Sequence, residues 1–245
     1  MSIHVERRGG PGRRRLLRVV LTGTVALGAG LVAGSPRTPD APVTGGPGRV
    51  RPATPRSALM ELEAGNARWR TLHERHPDET RIVRQTLIGG QHPFAVVLGC
   101  IDSRVPPELV FDQRLGDLLT VRSAGEVLDE AVLGSIAYGV LELGIPLVVV
   151  LGHQSCGAVA AAVRAAGGGA PLPGHMQYLV DQIHPAIDRT LRDAARIDAA
   201  ITANVRLVRA RLAAEPELAA KVAAGELAIV GARYELTSQR VRRIH

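Results

Sequence analysis

Five side chains capable of chemistry fall in two short stretches. Cys100, Asp102 and Arg104 lie in "CIDSRV", directly after the apolar run "FAVVLG", and His153 and Cys156 lie in "GHQSCG", at the end of "PLVVVLG". Zinc takes thiolate and imidazole ligands, and three protein ligands plus one open position is the layout of a catalytic zinc site. A His-x-x-Cys pair at a strand-to-helix turn can bite one metal. Cys100 then makes a Cys₂His set, with the fourth position left for water or for Asp102 reaching back. Two other readings use the same residues. Cysteine is often a small buried hydrophobe, and two cysteines in an exported chain can form a disulfide. Since Cys100 and Cys156 are the only cysteines, a disulfide-built scaffold is excluded.

The elements that must position these residues can be read from the apolar pattern. Phe94–Gly99 and Pro146–Gly152 are too uniformly apolar for a sheet with one wet face, which predicts parallel strands covered on both sides. Leu118–Gly125 reads as a third strand and Glu226–Tyr234 as a fourth, at an edge. Helical patterns lie over Pro55–His73, Glu130–Leu143, Gly157–Ala166, Met176–Arg192, Ala199–Ala214 and Pro216–Ala224. Strand and helix alternate, so the class is α/β: a central, mostly parallel sheet flanked by helices. "AVVLGC" and "VVVLGH" each put a metal-capable side chain just past the carboxyl end of a strand, where ligand crevices form in open parallel sheets. Neighbouring strands run about 4.8 Å apart, so side chains leaving two such ends can meet at one atom.

The net charge of +7 does not mark a nucleic-acid partner. Residues 1–56 hold ten arginines against Glu6 and Asp40, which is +8, and the other 189 residues come to −1. Residues 1–35 have the three-part layout of an export signal: an arginine cluster, an apolar run from Val19 to Ala33, then small residues at Ala33, Gly34 and Ser35. "RRRLLR" (Arg13–Arg18) resembles a twin-arginine signal, with Gly12 where Ser or Thr is common. The other reading is an uncleaved N-terminal anchor, although the run is shorter than the roughly 20 residues that span a bilayer comfortably. Membrane contact is expected only there. Residues 36–56 are Pro/Gly-rich and read as a disordered linker. Residues 57–245, which hold Cys100, Asp102, Arg104, His153 and Cys156, are expected to form one folded domain.

"CIDSRVPPELVFDQRLGDLLTVRSAG" and "GSIAYGVLELGIPLVVVLGHQSCGAV" resemble the two signature blocks of the β-class carbonic anhydrases. The family's Cys-x-Asp-Ser-Arg, Gly-Asp-x-x-x-x-Arg-x-Ala-Gly and Gly-His-x-x-Cys-Gly-Ala patterns occur in order. The likeness runs from "LEAGNARW" (Leu62–Trp69) through "NVRLVRARL" (Asn204–Leu212) to "GARYELTS" (Gly231–Ser238). It implies one Zn²⁺ per chain on Cys100, His153 and Cys156, and reversible hydration of CO₂ to bicarbonate and a proton. Asp102 and Arg104 match the family's ion-paired dyad. Held by Arg104, Asp102 accepts a hydrogen bond from the nucleophile; swung onto the metal, it becomes the fourth ligand and closes the site. Gln91 and Tyr138 match substrate-contacting residues, and the Gly157 N–H at a helix start suits an anionic oxygen. The resemblance also implies a homodimer or higher homo-oligomer, with each site at a subunit interface. Relatives with nearly the same ligands hydrolyse CS₂ or COS, and a zinc-binding or thiol protein without hydration activity is the rival of another class.

The chain departs from the family at three places. Leu119 stands where some members carry an aromatic lining residue. Val97 stands where members with a non-catalytic bicarbonate pocket carry tryptophan, so no such pocket is implied. Leu236–Val241 lacks the glycine usual in the final turn. His73, His76, His92, His175 and His184 read as surface or packing histidines, Trp69 as core or interface, and the Arg206, Arg209, Arg211 run as a solvated helix face.

Overall fold

The computed structural model describes residues 51–75 and 80–245, together with the backbone of 44–45 and 49–50. Residues 1–35, expected to be an export signal, most of 36–56, expected to be a linker, and His76 lie outside the described residues. Two-residue strands β1 (Thr44–Gly45) and β2 (Arg49–Val50) pair antiparallel. Helix α1 (Pro55–Arg70) starts at a reciprocal cap: Ser57 N–H donates to Thr54 Oγ1 at 3.2 Å, and Thr54 N–H donates to Ser57 Oγ at 3.1 Å. Pro55 sits at the first helical position, where its missing N–H costs no hydrogen bond.

A five-stranded sheet follows, in the order β4 (Leu118–Arg122), β3 (Ala95–Gly99), β5 (Leu147–His153), β6 (Ala228–Glu235), β7 (Arg240–Ile244). The first four are parallel and β7 is antiparallel to β6. β3 and β5 are buried along their whole length, as the continuous apolar runs require. On one face Val96, Leu98, Val148 and Val150 pack under α4 (Glu130–Ala137), α7 (Asp193–Ala214) and α8 (Pro216–Ala223). On the other, Ala95, Val97, Leu147, Val149 and Leu151 pack under α1 and the short α3 (Pro107–Val110). A third cluster joins Cys100 and Cys156 to α5 (Gly157–Ala166) and α6 (Met176–Ile183).

Several boundaries differ from the sequence expectation. β6 is not an edge strand, because β7 pairs outside it; the arginine-rich "RVRRI" hides a strand whose outer side faces solvent. The turn between them needs no glycine, because Gln239 takes the left-handed conformation (φ 57°). Asn66 of α1 holds that turn, donating to Gln239 O at 3.0 Å and accepting from Val241 N at 2.9 Å. The helix expected over 130–143 becomes a π-helical turn at Tyr138–Glu142, where Gly139 lies against Val96 and Leu119. The helix expected to run to Arg192 stops at Ile183, followed by a 3₁₀ turn through Pro185, and Asp188 then caps Thr190. α7 begins at Asp193, six residues before the expected start, and the six-residue α2 (Arg81–Thr86) was not expected. No helix among the described residues is long and apolar enough to cross a membrane.

Candidate metal centre

The chain leaves β3 to form β4 on one side and β5 on the other, so β3 and β5 flank the point where strand order reverses. Gly99 pairs with Leu151, which places Cys100 level with Gly152 and one step from His153. The crevice predicted at the carboxyl ends of the strands is therefore where the three residues emerge. After His153, Ser155 takes a left-handed conformation (φ 59°), and this sharp turn brings Cys156 back beside His153 before α5 begins.

Cys100, His153 and Cys156 are all buried, and one ligand atom from each lies within 4.8 Å of the others. The two sulfurs stand 3.8 Å apart as free thiols, not as the disulfide that remained open from sequence. With Zn–S bonds of about 2.3 Å, the edge of a tetrahedral S₂ pair is about 3.8 Å. His153 Nδ1 lies 2.9 Å from Gln154 O, so the ring donates there and Nε2 keeps its lone pair. That Nε2 is buried and has no hydrogen-bond partner. An orphaned buried acceptor facing two thiols fits a cation and little else.

The electrostatics agree. Cys156, then His153 and the Gly125 N–H, lower the Cys100 thiol to about 4, while Cys100 and burial push Cys156 up. A divalent cation held by Cys100 and Cys156 would remove that opposition and keep both deprotonated.

Asp102 stands beside this set, with Oδ2 3.8 Å from His153 Nε2. Arg104 grips it bidentately, Nε to Oδ1 at 2.9 Å and Nη2 to Oδ2 at 2.7 Å, and the Arg104 N–H adds a third bond at 3.0 Å. The Arg104 guanidinium holds the Asp102 carboxyl down at about 2. Gly157 opens α5 directly after Cys156, and a methyl group there would meet nothing within 4 Å. Gln91 is exposed in the loop before β3. Tyr138 is exposed too and lines a groove with Leu119, Thr120, Arg122 and Ser135 that contains none of the three ligands. One chain thus brings together Cys100, His153, Cys156, Asp102 and Arg104, and leaves Gln91 and Tyr138 facing outward.

Three contributors were not singled out from sequence. Arg122 donates to Cys100 O at 2.8 Å and to Asp102 O at 2.7 Å, clamping the loop that carries both. Its signal was the arginine of the second motif. Gly125 donates its N–H to Cys100 Sγ at 3.4 Å. Glu126 is fully buried behind the site, and burial, with the Cys100 charge, raises its carboxyl well above the usual range. Of the residues read as bland, His73, His92, His175 and His184 are exposed, and Trp69 is half-buried, donating to Tyr234 OH at 3.0 Å.

Comparison with known proteins reaches the same fold. A carbonic anhydrase family model matches residues 95–241. Carbonic anhydrase 2 of Mycobacterium tuberculosis is 42% identical over 188 residues, covering 76% of this chain and 91% of that protein. A carbonic anhydrase of Mycolicibacterium smegmatis is 42% identical over 191 residues, covering 77% and 93%. Among solved structures, the β-carbonic anhydrase CcaA superposes with a TM-score of 0.63 at 23% identity, over 76% of this chain and 87% of that one. A tetrameric β-carbonic anhydrase of Sordaria macrospora gives 0.61 at 21%, over 77% and 97%. The matched stretch holds strands β3 to β6 together with Cys100, His153 and Cys156, and the chain belongs to the β-class carbonic anhydrase family.

Proposed function

We propose that this chain is a zinc lyase that reversibly hydrates CO₂ to bicarbonate and a proton, with one Zn²⁺ held by Cys100, His153 and Cys156. The observation that carries this is the orphaned His153 Nε2, buried beside two thiols at tetrahedral spacing with the Asp102–Arg104 pair at its edge. Bound zinc lowers the pKa of a coordinated water toward 7. Asp102, kept ionised and turned by Arg104, can only accept a hydrogen bond, and so orients the attacking oxygen's lone pair toward CO₂. The Gly157 N–H, at the first position of α5, binds an anionic product oxygen in this reading. Arg104 is the gate: while it holds Asp102, that carboxylate stays off the metal.

Gln91 and Tyr138 contact substrate in this reading, and a second subunit completes the pocket. Their exposure in one chain supports that, as does Ile101, an apolar residue 62% exposed between Cys100 and Asp102. The functional unit is a homodimer or a multiple of one. Export by the twin-arginine route, with residues 1–35 as the signal and 36–56 as linker, rests on the sequence pattern.

Stopped-flow CO₂ hydration on zinc-quantified protein tests the activity. Turnover should scale with bound zinc. Zinc-replete protein inert toward CO₂ but hydrolysing CS₂ or COS would shift the assignment to those substrates, and zinc-replete protein inert toward all three would reject an enzyme.

A further inference from the structure

Behind Cys100 the chain places two consecutive residues in the left-handed region, Gly125 (φ 66°) and Glu126 (φ 54°). A side chain such as that of Glu126 is strained there. Such a backbone persists only where its surroundings over-determine it. Ser123 holds one side: its carbonyl accepts from Glu126 N at 3.2 Å, and its hydroxyl donates to Val127 O at 2.7 Å. Asn204 of α7 holds the other. Its fully buried Nδ2 donates to Gly125 O at 2.7 Å and reaches Glu126 Oε2 at 3.5 Å. On the other side of the same Cα, the Gly125 N–H points at Cys100 Sγ.

The height of α7 above the sheet is set one residue away. Val205 fits over two bare glycines: a methyl group at Gly152 would lie 2.5 Å from Val205 Cγ2, and one at Gly231 would lie 3.0 Å from Val205 Cγ1. β5 and β6 thereby fix α7, and α7 fixes where Asn204 meets the turn.

We propose that Asn204 is a positioning residue of the metal centre: acting through Gly125, it presents a backbone N–H to the Cys100 sulfur. An N–H on a thiolate stabilises its charge and fixes its direction, so the sulfur stays a deprotonated ligand and meets the metal from one angle. The inference rests on the reading of Cys100 as a zinc ligand.

The test uses the zinc-loaded full chain, two variants at Asn204 and one control variant. Asn204→Leu keeps the volume without the donor, and Asn204→Ser, which shortens the side chain out of reach, carries the same comparison if the leucine variant does not fold. Val208→Ala, on the same helix but in the core over the sheet, is the stability control. Two quantities are read at a temperature where all are folded: the rate at which a chelator removes zinc, and the thiolate-to-cobalt charge-transfer band of Co²⁺-substituted protein. Loss of such a supporting partner costs about 10–100-fold in metal affinity, so zinc loss should accelerate by about that factor. The cobalt band should shift in the Asn204 variants and not in Val208→Ala. Lowered melting with unchanged zinc loss and an unmoved band would reduce Asn204 to packing and overturn the proposal. Wild-type protein that retains no zinc overturns the metal-centre reading itself.

Discussion

His153 shows how a single side chain commits the site to a metal. One ring nitrogen is spent on the Gln154 carbonyl, and the other is buried with nothing to accept from. Cys100→Ser, His153→Ala and Cys156→Ser should therefore each lose zinc and activity together, because two donors are too few to hold it. Elemental analysis decides this: near one zinc per chain in any of the three removes that residue from the ligand set. Asp102→Ala should keep its zinc and lose about 10²-fold or more in hydration rate, the scale of losing one oriented hydrogen-bonding group at a reacting atom. Arg104→Ala should free Asp102 to turn toward the metal, 3.8 Å from His153 Nε2 as it already is. Added oxygen ligation in its Co²⁺ spectrum, with reduced turnover, is the expected result; a wild-type spectrum and rate would end the gating role. These five residues were legible in the sequence because each follows a recognisable strand by at most a few positions. Asn204 was not: it opens the family-like stretch "NVRLVRARL", but nothing in that stretch ties it to Gly125, 79 residues earlier.

At the scale of elements, bare glycines decide how closely helix and sheet approach. Gly65 is in the middle of α1, where alanine has the better helix propensity by about 1 kcal/mol. A methyl group there would lie 1.7 Å from the Phe111 carbonyl oxygen, which is backbone at the end of α3 and cannot step aside. Gly65→Ala should thus destabilise by about 1–3 kcal/mol, the usual cost of overpacking, seen as a thermal midpoint lower by roughly 2–4 °C per kcal/mol. An unchanged or raised midpoint would show that α1 is free to shift. The strands β3 and β5 were readable because burial on both faces leaves no alternative to unbroken apolar sequence. β7 was not, because one of its edges is wet and three of its five residues are arginine. The interruption after Ile183 was obscured by an apolar pattern that continues through Pro185 into Ile187, although only the first part is helical.

The whole molecule carries two expectations that no single element does. The first is export. Charge is segregated, +8 in residues 1–56 against −1 in the rest, and the arginine cluster directly precedes the apolar run. A domain loaded with zinc before it leaves the cell keeps both thiolates protected from an oxidising exterior. Replacing Arg13, Arg14 and Arg15 together by lysine should leave folded enzyme inside; the wild type should appear outside, beginning near Ser35 or Pro36 after cleavage. Unchanged export of the triple variant rejects the twin-arginine route, and an intact leader in the membrane fraction identifies an anchor. The second is assembly. The metal set is at the carboxyl edge of the sheet, with Ile101 62% exposed beside it and the Arg104 side chain 54% exposed. An apolar side chain open to water between Cys100 and Asp102 is explained if a second copy covers it. Because Ile101 is already exposed, Ile101→Glu should cost the single-chain fold no more than about 0.5 kcal/mol. A carboxylate buried without a partner at an interface is strongly unfavourable. Light scattering at micromolar concentration should therefore give a dimer or a multiple of one for the wild type and a folded, zinc-retaining monomer for the variant. A fully active wild-type monomer would sink the idea that a second subunit completes the site.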